Sequence, residues 1–201
     1  MGKNGNAERV LRLASERGTL RPRDLAGQRV PRTTLSRLVE SGRLVQISRG
    51  LYALPDHARS EQHQLAEIAI RSPQGVFCLL TALRFHEFTT QSPHEIWLAI
   101  PNKAHPPKLD YPPLRVVRFS GAALTQGVET RMVDGVGVRV YSVAKTVADC
   151  FKYRNKIGLD VALEALRESR REKLATNDQL WHYAKICRVA NVMRPYMETI
   201  E

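Results

Sequence analysis

The stretch VPRTTLSRLVESGRLVQISRGLYALP, residues 30 to 55, gathers the side chains with the clearest chemistry in the chain. Arg32, Thr33, Thr34, Ser36 and Arg37 lie close together, and Arg49 follows on a Ser-Arg-Gly turn. A guanidinium fork matches phosphate oxygens and the N7/O6 edge of guanine, and small hydroxyls allow close approach to a polyanion. The chemistry these types point to is recognition of duplex DNA, not the making or breaking of bonds. Arg21 and Arg23, slightly upstream, suit phosphate contacts.

Residues of the kind used in catalysis are present but do not converge. The six histidines, His57, His63, His86, His94, His105 and His182, are scattered. His86 with Glu87, and His94 with Glu95, are adjacent pairs whose side chains point apart on a helix or strand, so neither makes a metal site unaided. Glu95 and Lys103 evoke a nuclease carboxylate–lysine core, but one strand cannot present both at that spacing. Lys145 and Asp149, one helical turn apart, read as a surface ion pair. No phosphate-binding glycine motif and no H-E-x-x-H occurs. Cys78, Cys150 and Cys187 lack C-x-x-C spacing and read as small core hydrophobes, with no disulfide framework or zinc site. Trp97 and Trp181 fall in apolar patterns. The expectation is no enzyme, no catalytic residues, no cofactor and no metal.

Charge points to the same partner. The formal net charge is +11, and twelve basic residues against five acids leave +7 in residues 1–60, where all but Lys3 of the basic residues are arginine. The remaining 141 residues carry +4. A basic, arginine-biased segment favours a polyanion. With 43% hydrophobic and 25% charged residues, the composition is that of a globular protein. No apolar run is long enough to span a bilayer. MGKNGNAERV lacks the apolar core of a secretory signal, and Asn6 stands where myristoylation wants Ser or Thr, so a cytoplasmic protein without membrane association is expected.

These side chains need elements to hold them. NAERVLRLASERG reads as a helix with Asn6 as N-cap, Gly18 as stop and Ala7, Val10, Leu11 and Ala14 as its buried stripe. A second short helix is expected around Pro22 to Ala26. A third follows in VPRTTLSRLVESG, with Pro31 in its first turn, Gly42 at its exit and Leu35, Leu38 and Val39 inward. RLVQI and GLYAL read as two short strands about Ser48, Arg49 and Gly50. Three helices and a hairpin is the order of a winged helix-turn-helix. There the third helix enters the major groove and the hairpin tip reaches the backbone or minor groove. The same arrangement also serves as a protein dock or ligand sensor, but a dock would show an apolar anchor, which this face lacks.

The fold class expected is α+β: a winged helix-turn-helix over 1–58, then a mixed α+β domain over 59–201 with a small sheet and several C-terminal helices. PDHARSEQHQ, residues 55 to 64, reads as a linker into a helix at Leu65 to Arg71. VFCLL, EIWLAIP, LRVVRFS and GVGVRVYS read as strands, the last after a turn at Asp134-Gly135. TALRFHEF reads as a helix capped by Thr81, and the proline-rich NKAHPPKLDYPP shows no periodicity. SVAKTVADCFKYR buries Ala144, Val147, Ala148 and Phe151. Residues 160 to 173 are helical and end in RESRREK, from Arg167 to Lys173, a solvated basic face. Thr176 with Gln179 spells a capping box, and Pro195 ends the regular pattern.

As a whole the chain resembles the AbiEi family, the antitoxin and transcriptional regulator of type IV toxin–antitoxin systems. The segments that carry the resemblance are PRTTLSRLVESGRLVQISRGLYALP, LTALRFHEFT, IWLAIP and VRVYSVAKTVADCFKYRNKIGLDVALEAL. The resemblance implies a repressor whose winged helix binds inverted repeats in its own promoter. It implies an antitoxin to a nucleotidyltransferase-like toxin, acting without a stable complex through the C-terminal domain. Its DNA contacts would be Arg32, Thr33, Thr34 and Arg37 in the recognition helix, Arg49 in the wing, and Arg21 and Arg23 on phosphates. A monomer in solution that binds cooperatively on DNA is expected.

Overall fold

The computed structural model describes residues 3–28, 30–55, 63–90, 94–109 and 113–199. It is a mixed α+β protein. It divides into two compact units: residues 1–70 with 132–137, and residues 71–131 with 138–201. The chain therefore passes from one unit to the other at 70/71, 131/132 and 137/138. The 58/59 boundary expected from the sequence lies outside the described residues, as do Arg29, His57 and Arg59.

The first unit begins with α1 (Lys3–Arg17). Val10 and Ala14 are fully buried on it, with Ala7 and Leu11 packed beside them, as the stripe predicts. Asn6 is not its N-cap, because the helix starts at Lys3; Gly18 does end it, with φ 75°. The second expected helix is a single 3₁₀ turn over Pro22–Leu25. Pro22 stands at its start, where the missing N–H is no loss. α2 (Thr33–Glu40) turns Leu35 and Leu38 inward, and Gly42 leaves it at φ 69°. β1 (Val45–Ser48) and β2 (Leu51–Ala53) pair antiparallel, with a register shift between Gln46 and Ser48. Gly50, at φ 78°, closes the turn between them. Leu20 and Tyr52 exchange backbone bonds of 2.7 and 2.9 Å, which tie the hairpin to the segment after α1. Val10, Ala14, Leu20, Leu25, Leu35, Leu38 and Leu44 form one core. α3 (His63–Arg71) follows. The 132–137 segment adds a turn in which Asp134 and Gly135 both have positive φ, the type I′ signature expected of Asp-Gly. A Cβ at Gly135 would lie 3.1 Å from Thr19 Oγ1, so this turn is seated closely on the chain behind α1.

The second unit centres on a five-stranded sheet in the order β5-β4-β3-β7-β6. The strands are β3 (Val76–Phe77), β4 (Ile96–Pro101), β5 (Leu114–Phe119), β6 (Val128–Val133) and β7 (Val136–Tyr141). β3 runs antiparallel to β4 and parallel to β7, and β4 runs parallel to β5. The aperiodic proline-rich stretch is thus the crossover that a parallel pair requires. VFCLL is not one strand. It breaks after Phe77, and α4 (Leu79–Phe85) starts at Leu79, which is buried with φ 49°. Thr81 sits inside that helix and not at its cap. Its Oγ1 instead accepts the Trp97 N–H at 2.8 Å, giving a buried strand donor a partner. β6 and the short helices α5 (Ala122–Thr125) and α7 (Arg154–Ile157) were not expected.

α6 (Val143–Lys152) runs through the middle of the unit, with every residue from Ala144 to Phe151 buried. Around it lie α8 (Leu159–Arg171), α9 (Asn177–Ile186) and α10 (Ala190–Thr199). Thr176 and Gln179 form the expected capping box, with bonds of 3.2 and 2.9 Å. Pro195 does not end the last helix but lies inside it. The buried Met193 and Met197 on either side hold that helix through one missing backbone donor.

The Lys145–Asp149 pair is a correction to the surface assignment. Lys145 is 0% exposed, and its Nζ lies 2.6 Å from both carboxylate oxygens of Asp149. The ammonium also stands 4.1 Å from the centre of the Tyr141 ring and 4.8 Å from that of Phe119. Cys187 Sγ donates to Asp149 Oδ1 at 3.2 Å. The i, i+4 spacing was read as an exposed pair, yet α6 is buried all round, so a pair on any of its faces is internal.

Candidate nucleic-acid interface

α2 owes its position to Leu35 and Leu38, which fix one face in the core and leave the other outward. Arg32, Thr33, Ser36 and Arg37 are exposed on it, and Thr34 is half-buried. Arg32 occupies the N-cap position without making a side-chain cap bond. The first N–H groups of α2, whose end carries partial positive charge, thus share a surface with two guanidinium groups. Arg49 is exposed on the β1–β2 turn. Its place is set by Gly50 and by the Leu20–Tyr52 bonds behind β2.

Among the described residues, the side chains of Arg23, Arg32, Arg37, Arg43 and Arg49 make no hydrogen bond or ion pair. Arg21 differs from these. It is 14% exposed and bonds Asp24 through Nε at 3.2 Å and Nη2 at 3.3 Å, while its own N–H donates to Asp24 Oδ2 at 2.8 Å. Arg17 approaches the same carboxylate at 3.8 Å. Arg9 donates to the Gln28 carbonyl at 3.1 Å, behind the 3₁₀ turn. Sequence reasoning singled out Arg21 because a cation before a helix resembles a phosphate contact; the acid three residues on is the signal that it serves the fold. It passed over Arg43, exposed where α2 leads into β1, though the residue stands in the same G-R-L segment.

The basic run from Arg167 to Lys173 is engaged within its own unit. Arg170 donates to Asn177 and to the Met197 carbonyl at 2.7 and 3.0 Å, and Arg171 pairs with Glu168 and Glu172. Glu95 takes Arg115 in a two-point bond of 2.6 and 3.0 Å, so it is not paired with Lys103. Burial drives the Cys78 and Cys150 thiols well above the ordinary range, and the Asp149 carboxylate adds to this, which leaves both protonated and unreactive. Among the described residues no group of three potential ligands could hold a metal ion, and no helix is long and apolar enough to cross a membrane.

Residues 8–55, which carry α1, α2 and the hairpin, match a family described as transcriptional regulators, the AbiEi antitoxins. That match supports a DNA-binding regulatory role. A search among curated proteins gives no match. The fold is similar to that in the crystal structure of the RV2827C protein from Mycobacterium tuberculosis, with a TM-score of 0.55 and 17% identity over 98% of this chain and 80% of that one.

Proposed function

We propose that the first unit is a winged helix-turn-helix that places α2 in the major groove of duplex DNA and the β1–β2 turn alongside. The reading is carried by one observation: Arg32, Arg37 and Arg49 are exposed and unpaired among the described residues, on elements the core holds fixed. Arg32 and Arg37 would meet guanine edges, with Thr33, Thr34 and Ser36 packed against bases or sugar. Arg49 would enter the minor groove or grip its phosphates, and Arg23 would contact phosphate. Arg21 we assign to the fold, on account of Asp24. The role that follows is a cytoplasmic repressor of its own operon at inverted repeats. The chain would be a monomer in solution that binds cooperatively there. It would also act as antitoxin to a nucleotidyltransferase-like toxin without a stable complex. DNase footprinting on the region upstream of its own gene tests the first step. A protected inverted repeat is expected, and uniform cleavage at low salt would overturn the reading.

A further inference from the structure

We propose that the second unit binds a small organic carboxylate, with a neutral or cationic remainder, at the amino-terminal end of α6. A cavity of about 900 Å³ opens there, within the size range of small-molecule pockets. Ser142, Val143 and Ala144 form one wall. Ser142 holds the N-cap position, but its side chain makes no cap bond, and its Oγ is buried with no partner among the described residues. A buried hydroxyl is normally paired, and the orphan calls for an acceptor. The first N–H groups of the ten-residue α6 point out of the same end, where the macrodipole favours negative charge. Donors from two sources thus converge on one acceptor position.

The remaining charges narrow the ligand. Arg131 lines the cavity and is held by Glu129 at 2.7 Å, a pair 60% and 35% exposed that a carboxylate can enter. Asp178 also lines it and disfavours a second negative charge. His86 and His182 place Nε2 at 2.7 Å from the Tyr141 carbonyl and 3.2 Å from Gln126 Oε1, so each neutral ring keeps Nδ1 as an acceptor for a donor on the remainder. Inorganic phosphate and dicarboxylates satisfy the donors but meet Asp178.

The test uses the full chain, labelled with ¹⁵N, at fixed ionic strength. Glycine, propionate, succinate and inorganic phosphate are titrated in turn against chloride. Saturable shifts of the Val143 and Ala144 amides are expected with glycine or propionate, and weaker ones with succinate and phosphate. Tightest binding of phosphate or succinate, or no saturable shift with any probe, overturns the proposal. Ser142→Ala should weaken binding about tenfold, the worth of one hydrogen bond to a charged group, without lowering the unfolding temperature. Arg131→Gln should weaken it as well and decides the matter if the first variant does not fold. Unchanged affinity in a folded variant overturns the site. The outcome does not depend on whether the first unit binds DNA.

Discussion

A guanidinium acts according to what else has already claimed it. Arg32 has no partner among the described residues, so Arg32→Ala should cut the preference for operator over random DNA by about 1–3 kcal/mol, with unchanged thermal stability, as read by competition binding. Arg21 is held by Asp24 at two nitrogens, so Arg21→Ala should lower stability by about 1–3 kcal/mol and leave the salt dependence of binding intact. A loss of binding slope with unchanged unfolding would reverse the assignment. The two arginines look alike in sequence. What separates them is a carboxylate three residues away, in a turn too short to register as a helical period. The hydroxyls and arginines of α2 were legible because Leu35 and Leu38 fix which face is free. The buried location of Lys145 was not, since spacing reports that two side chains meet and not where.

Among the elements, those with a strong period were read well and those held by tertiary contact were not. α1, α2 and α6 show their apolar stripes, and the hairpin declares itself by Arg49-Gly50. β3 has two residues and borrows its bonds from both neighbours, and β6 is largely polar, so neither leaves a pattern. α6 makes the sharpest test of this level. Lys145→Met leaves the Asp149 carboxylate alone in the core and should destabilise by about 3–5 kcal/mol in urea titrations. Lys145→Met with Asp149→Leu should recover most of that loss; if the double variant is as unstable as the single one, the pair is not what the core is built around. At the start of α9, Thr176→Ala removes the cap bond to Gln179 and should cost about 1 kcal/mol.

The whole molecule carries a proton inventory set by its core. Burial, with Asp149 nearby, pushes the Cys187 thiol from 9.0 up to about 12, and burial takes Tyr153 from 10.0 to about 12. The folded chain therefore keeps these protons after the unfolded chain has lost them. Their contribution is complete below the unfolded value of 9.0 and is lost as pH rises from there towards about 12. Urea midpoints should fall between about pH 8 and about pH 11, and less steeply in Cys187→Ser, which keeps a donor to Asp149 but does not titrate in this range. An equal slope in that variant would remove Cys187 from the account.

The seating of Gly135 behind α1 has a temporal consequence. The amino-terminal unit is not closed by consecutive residues; it takes in 132–137 as well. On the ribosome, domains tend to fold as their last residues emerge, amino-terminal ones first. Here the groove-reading helix is synthesised early but lacks part of its support until translation has passed Gly137. A nascent chain stalled before that point would carry its arginines on an unfinished scaffold, and the competence to grip an operator would arrive only late in synthesis.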